Sequence, residues 1–244
     1  MPTRILSPVA ASASPLESGQ TRAQRAIEAV VAHIREMRLK AGDQLPSEAQ
    51  FAAELSVSRS VIREAFGALA ALHIIDVGNG RRPRVAAISA NAMSISLHHA
   101  VETSQISLSE VWQVRYLLEP KAAALAASCR TAREADRIME CALIMAKCEP
   151  GSSELIAHDL EFHETIAKAT RNTLLVQVLS SFFPLMIQAV PYAWRARAPD
   201  IGDALLEHHR LIAEAILQQD PAAAERAMHA HFDPSITQAM SKDA

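Results

Sequence analysis

Asp159 and His163 stand four residues apart among Leu155, Ile156, Phe162 and Ile166, which recur at helical spacing. Both side chains therefore project from one inward face of a helix spanning residues 153–169. A carboxylate and an imidazole turned inward need a partner, because burying either alone is costly. A divalent ion would satisfy both. Two later helices offer further ligands. Between Ile201 and Gln219, His209 shares the stripe of Leu205, Ile212 and Ile216, whereas His208 is rotated by about 100°. In the last helix His231 follows Ala224, Ala227 and Met228 inward, and His229 lies outward with Glu225 and Arg226. One inward histidine per helix suits a metal centre, and a hydrogen-bonded polar core is the other reading of the same four residues. His33, His73, His98, His99 and His158 lack such convergence and read as surface or internally satisfied histidines.

A second chemistry is cationic. Arg59 and Arg63 share one face of a helix, rotated by roughly 120° from the apolar stripe of Ile62, Phe66 and Leu69, with Ser60 beside them. Guanidinium groups so placed can fork onto guanine edges or clamp phosphates, and serine hydroxyls can take phosphate oxygens. Arg81, Arg82 and Arg84 follow in a glycine-bearing hairpin, where they could meet a minor groove or backbone. A solvated basic face is the plainer alternative.

The elements that must hold these groups divide the chain. Residues 1–88 contain 11 Lys and Arg against 8 Asp and Glu, a net of +3, and residues 89–244 contain 13 against 19, a net of −6. In the front part an amphipathic helix over 20–39 ends near Gly42, a second runs from Pro46-Ser47-Glu48 to Leu55, and a third follows with Ser58 as its N-cap. Ile74 to Val77, Gly78-Asn79-Gly80 and Pro83-Arg84-Val85 then read as a hairpin. This is the order of a winged helix-turn-helix. After a linker at Ile88 to Asn91, helical spacing persists almost to the end, with breaks at Glu149-Pro150-Gly151, Arg171-Asn172, Pro199 to Gly202 and Asp220-Pro221, giving about six helices. The fold class is mainly α: an N-terminal winged helix-turn-helix and a C-terminal all-helical bundle. Residues 1–19 read as a flexible arm, 20–88 as the DNA-binding domain, 89–104 as linker and first bundle helix, and 105–241 as the bundle proper.

Composition closes several other routes. The chain has 244 residues, half of them hydrophobic, and only 7 glycines, which opposes a turn-rich sandwich. Its three cysteines form no C-x-x-C pair, so a disulfide framework or zinc ribbon is not supported and a reducing cytoplasm is expected. Pro8 interrupts an apolar run already too brief for a signal-peptide core. Thr173 to Trp194 has no formal charge, but Gln177, Ser180, Ser181, Pro184, Gln188 and Pro191 fall within it, so a buried helix is expected and no membrane partner.

Leu45-Pro46-Ser47-Glu48 and Val57-Ser58-Arg59-Ser60-Val61-Ile62-Arg63-Glu64-Ala65-Phe66, with the glycine-bearing wing, closely resemble the N-terminal domain of GntR-family transcription regulators. Glu110 to Glu119, Asp159-Leu160-Glu161-Phe162-His163 with Asn172 beyond, His209-Arg210-Leu211-Ile212 and Ala227 to His231 look like the FCD sensor domain of the FadR subfamily, and the DNA-binding half is similar to sugar-acid-responsive members. The resemblance implies contacts to double-stranded operator DNA by Ser47, Ser58, Arg59, Ser60, Arg63, Asn79, Gly80 and Arg81. It implies a divalent ion on Asp159, His163, His209 and His231, zinc first, with nickel, manganese or iron as alternatives. It also implies a small carboxylate or sugar-acid effector nearby. Arg115 could clamp that carboxylate or pair with Glu119 at i+4; Asn172 could reach the ligand or cap a helix.

The expected function is an effector-responsive regulator, a homodimeric repressor of a carboxylate catabolic operon and not an enzyme. A metallohydrolase using Glu161 or Glu164 as base, and a regulator sensing the metal itself, are the alternatives.

Overall fold

The computed structural model describes residues 21–78, 80–195 and 199–232, without the side chains of 188–204. The expected arm over residues 1–19 lies outside the described residues. The chain divides into two units between Ile88 and Ser89.

In the first unit α1 (Arg22–Glu36), α2 (Glu48–Glu54) and α3 (Arg59–Ala71) enclose a core of Val30, Leu45, Phe51, Ile62, Phe66 and Leu69. Ser47 and Gln50 form a reciprocal capping box at the start of α2, and Ser58 caps α3. β1 (Ile75–Asp76) pairs antiparallel with β2 (Arg84–Val85), in the register Ile75 to Val85 and Asp76 to Arg84. On its other side β2 bonds to the segment after α1: Gly42 N donates to Val85 O at 2.8 Å and Val85 N to Asp43 O at 2.9 Å. Arg84 adds a bond from Nη1 to Gly42 O at 2.7 Å. Arg84 therefore braces the base of the wing, where the sequence placed it with the DNA-facing cations. Gly42 is not the cap of α1. That helix ends with Arg38 at φ +50°, and Leu39 N reaches back to Ile34 O.

The second unit contains, among the described residues, seven helices where about six were expected: α4 (Asn91–Glu102), α5 (Leu108–Cys129), α6 (Ala132–Met145), α7 (Ser153–Ala169), α8 (Thr173–Arg195), α9 (Pro199–Leu217) and α10 (Pro221–His231). The extra boundary is that between α5 and α6, where Thr131 and Glu134 form a capping box; Ser107 and Glu110 form another at the start of α5, at the division expected near residue 105. Asn91 belongs to α4 and not to the linker. Ala123, Ile138, Leu155, Phe162, Ile166, Met186, Ile212 and Met228 meet in the core between α5, α6, α7, α8, α9 and α10. α8, expected as a buried helix, buries one face: Leu179, Phe182, Leu185 and Met186 turn inward, while Leu174 and Ile187 are exposed. Among the described residues no helix is long and apolar enough to cross a membrane.

α5 carries Arg115 and Glu119 into the core, so the turn that starts it matters. Ser107→Ala removes the acceptor for Glu110 N and should cost about 0.5–2 kcal/mol of stability, measured by urea unfolding.

Candidate metal centre and nucleic-acid interface

α7, α9 and α10 each bring one imidazole to the middle of the second unit. His163, His209 and His231 are all buried, and one ring nitrogen of each lies within 4.8 Å of the others. Asp159 touches this set at His209, its Oδ1 standing 3.0 Å from Nε2. Phe162 and Phe232 wall the cluster, with ring centroids 5.0 Å from His209 and 5.1 Å from His231. The inward stripes expected of the three helices are those observed. His229 is partly exposed beside Glu225.

The tautomers follow from the neighbours. His209 Nδ1 donates to the Leu205 carbonyl at 2.9 Å, so in a neutral ring Nε2 bears the lone pair and aims it at the Asp159 carboxylate. Two acceptors face each other there, an arrangement that calls for a proton or a cation between them. His163 Nδ1 donates to Glu119 Oε2, which likewise leaves its Nε2 as an acceptor. A ligating imidazole whose other nitrogen is held by a carbonyl or carboxylate is the usual environment of a metal-bound histidine. The residues thus fit a divalent ion held by nitrogen and oxygen without sulfur.

With a proton in that gap, burial still pushes the Asp159 carboxyl up, but the hydrogen bond then donated by His209 and the charges of His163, His209 and Arg115 outweigh it and hold the carboxyl at about 2. Glu119 follows the same logic. Burial opposes its charge, and Arg115 and His163 together bring it to about 2.

Glu119 is the residue that sequence reasoning missed as part of the centre. One oxygen accepts from Arg115 Nε at 2.5 Å and the other from His163. Arg115 is buried, donates from Nη1 to Met186 Sδ at 2.7 Å, and lies 5.1 Å from the ring centroids of both Trp112 and Phe232. The ion pair, one of its two expected roles, is present. Asn172 is exposed and makes the helix cap that was one of its two expected roles, its Oδ1 accepting from Leu175 N at 3.1 Å at the start of α8. Neither hydrolytic base expected from the sequence reaches the imidazoles. Glu161 is bidentate to Arg137, and Glu164 pairs with Lys168 at 2.8 Å.

In the first unit Arg59 and Arg63 are exposed on α3, off the buried stripe of Ile62, Ala65, Phe66 and Leu69. Arg63 stands 3.5 Å from Glu48 with its side chain 73% exposed, a contact too open to hold it. The side chains of Arg59, Arg81 and Arg82 make no ion pair among the described residues. Ser58 Oγ caps Val61 N and lies 2.8 Å from Ser60 Oγ, and Ser47 is engaged with Gln50. Gly80 adopts φ +70° in the wing; Asn79 lies outside the described residues.

Comparison with known proteins agrees with both halves. Residues 22–85 match the model for bacterial regulatory proteins of the gntR family, and residues 110–234 match the FCD domain. The chain is 30% identical to the HTH-type transcriptional regulator LutR of Bacillus subtilis (strain 168), over 82% of this chain and 92% of that protein. It is 33% identical to the Glc operon transcriptional activator of Escherichia coli (strain K12), over 79% of each. A solved structure of Streptococcus agalactiae GntR superposes with a TM-score of 0.60 at 25% identity, covering 91% of this chain and all of that one.

Removing the Glu119 charge leaves a buried guanidinium uncompensated, so Glu119→Gln should destabilise the protein by about 3–5 kcal/mol at neutral pH. Because the folded carboxyl titrates near 2 and the free one near 4.5, the wild-type advantage is complete above 4.5 and disappears as pH falls toward 2. Denaturant unfolding of both proteins across that window should show the gap closing.

Proposed function

The chain belongs to the GntR family of bacterial regulatory proteins and has an FCD domain behind its DNA-binding domain, and on that footing we propose that it is a cytoplasmic homodimeric repressor released from its operator by a small hydroxycarboxylic acid. Its relatives and domains are those of DNA-binding transcription regulators and not of enzymes. The carrying observation is the buried set of His163, His209, His231 and Asp159 in a chain that also exposes a cationic α3.

On this reading a divalent ion, zinc first, is held by these four residues, and it supplies a positive centre that attracts an anionic oxygen. Asp159 and three neutral imidazoles leave a site charge of about +1 with such an ion. Glu119 and Arg115 cancel one another and leave that balance unchanged. Glu119 fixes the ring of His163 and the Leu205 carbonyl fixes that of His209, so the chain presents prearranged donors. Arg115 and Asn172 act through Glu119 and through the start of α8, and the effector needs no direct contact with either.

At the operator, Arg59 and Arg63 read or clamp the major groove from α3, and the wing around Asn79, Gly80 and Arg81 meets the adjacent backbone. Ser58 and Ser47 set the starts of α3 and α2 at the phosphates, with Ser60 beside them. One module makes few base contacts, which favours two half-sites and a dimer.

With DNA selected by the wild-type protein from a random-sequence pool, Arg59→Ala and Arg63→Ala should each cost about 1–3 kcal/mol of specific affinity without unfolding the chain. Unchanged affinity in both would remove α3 as the reading helix.

Protein purified without added metal should hold a divalent ion that His209→Ala loses and His208→Ala keeps, by elemental analysis. Titration with a panel of hydroxycarboxylic acids should then find one that lowers operator affinity about 5- to 150-fold, and only when the ion is present. If chelation alone releases DNA and no acid does, the ion itself is the signal.

A further inference from the structure

The side of α7 turned away from the imidazole cluster also gathers metal-binding chemistry. At 100° per residue, Asp159 and His163 lie about 40° apart on the helix, His158 and Glu161 about 60° apart, and the centres of the two pairs are separated by roughly 150°. The second pair faces α6, where Cys141 is fully buried. The Cys141 thiol, a His158 ring nitrogen and a Glu161 carboxylate oxygen all lie within 4.8 Å of one another. His158, assigned from sequence to the surface or satisfied histidines, has its Nδ1 buried without a hydrogen-bond partner and 3.8 Å from Glu161 Oε2.

We propose that Cys141, His158 and Glu161 form a second metal site, for a borderline-soft divalent cation such as zinc, distinct from the imidazole cluster on the opposite side of α7. Sulfur, imidazole and carboxylate are the three donor types that zinc accepts, and three protein ligands leave a further tetrahedral position open. Access is one-sided. The sulfur is enclosed, whereas the His158 and Glu161 side chains are 20% and 39% exposed, so a cation enters past them.

The charges nearby fit a cation better than a reactive thiol. Burial, with Glu161 and Glu140 close by, pushes the Cys141 thiol up to about 11, so alone it is neither an anion nor a ready nucleophile. A bound cation reverses that balance: the S–H proton passes to solvent and the sulfur becomes a thiolate ligand, with one thiol proton released per ion. Arg137 holds Glu161 through Nε at 2.7 Å and Nη2 at 2.5 Å, and also reaches Glu140 at 2.5 Å. It competes with the ion in charge and fixes the carboxylate in place. Each carboxylate oxygen has two lone pairs, so Glu161 can accept from Arg137 and still ligate.

The probe is cobalt(II), added to chelator-stripped full-length protein bearing Cys129→Ser and Cys148→Ser, so that Cys141 is the sole thiol. Of the two equivalents of cobalt taken up, one should give a thiolate-to-cobalt charge-transfer band, its growth accompanied by release of the thiol proton. Cys141→Ser should abolish the band, and His158→Ala should abolish or strongly weaken it. His209→Ala should leave it intact while losing the sulfur-free equivalent, which separates this site from the imidazole centre. Glu161→Gln keeps a bond to Arg137 and decides the matter should Cys141→Ser fail to fold. Absence of the band at several equivalents of cobalt, or its persistence unchanged in both His158→Ala and Glu161→Gln, would overturn the proposal.

Discussion

A buried guanidinium cannot be left alone, and much of the second unit is arranged around that constraint. Arg115 enters the core from the second and third turns of α5, where no solvent screens it, and its countercharge comes from Glu119 one turn later on the same helix. A pair within one helix would stabilise only that helix. Glu119 uses its second oxygen on His163 of α7, so the pair also sets the rotation of α7 against α5 and the direction of one nitrogen of the imidazole cluster. Trp112 and Phe232, in contact with one another, both pack against the cation and bring α10 into the same arrangement. A buried ion pair is weak evidence for stability, since desolvating two charges offsets most of their attraction. Its value here is orientation: an apolar replacement could fill the space but could not hold the tautomer of His163.

The legible parts of this molecule are those written in local pattern. α3, its Ser58 cap and its exposed arginines follow from neighbours within four residues, and so do the inward faces that present His163, His209 and His231. The missed boundary between α5 and α6 is also written locally, as the Thr-x-x-Glu box at Thr131, just as the Ser-x-x-Glu box at Ser107 marks the start of α5. Helix ends are obscure for a different reason. Arg38, Ser56, His73, Ser104, Arg171 and Gln219 take the left-handed conformation after helices, where glycine is the usual signal. With 7 glycines in the chain, the stops fall on residues that read as helix formers or as nothing in particular. Gly42 therefore attracts a capping role that belongs to Arg38.

Other features are invisible for lack of long-range information. The i+4 spacing shows that Arg115 can meet Glu119, but nothing within α5 shows that the other oxygen of Glu119 meets a ring 44 positions later. His158 reads as an ordinary surface histidine because no second histidine converges on it. Its neighbours are Glu161, on its own helix, and Cys141, which only the packing of α6 on α7 brings into reach. Sorting by hydrophobic stripe finds the imidazole centre and overlooks donors at the edge of a stripe.

The distribution of the clustered donors over helices bears on how an effector of the proposed kind would act. α7 supplies Asp159 and His163, α9 supplies His209, α10 supplies His231, and α5 joins through Glu119, so four helices converge on a few ångströms of space. Any anion that alters the coordination of an ion there acts on the mutual packing of all four, and close-packed interiors answer such strain by shifting between discrete arrangements and not by gradual deformation. The position of an anion in the centre is not sufficient for regulation. An acid acting as proposed would have to bind the operator-competent and operator-incompetent forms unequally, and its differential affinity would set the upper limit on any change at the DNA. A centre whose ligands come from separate helices meets that requirement more readily than one built on a single helix, because its geometry differs wherever the packing differs.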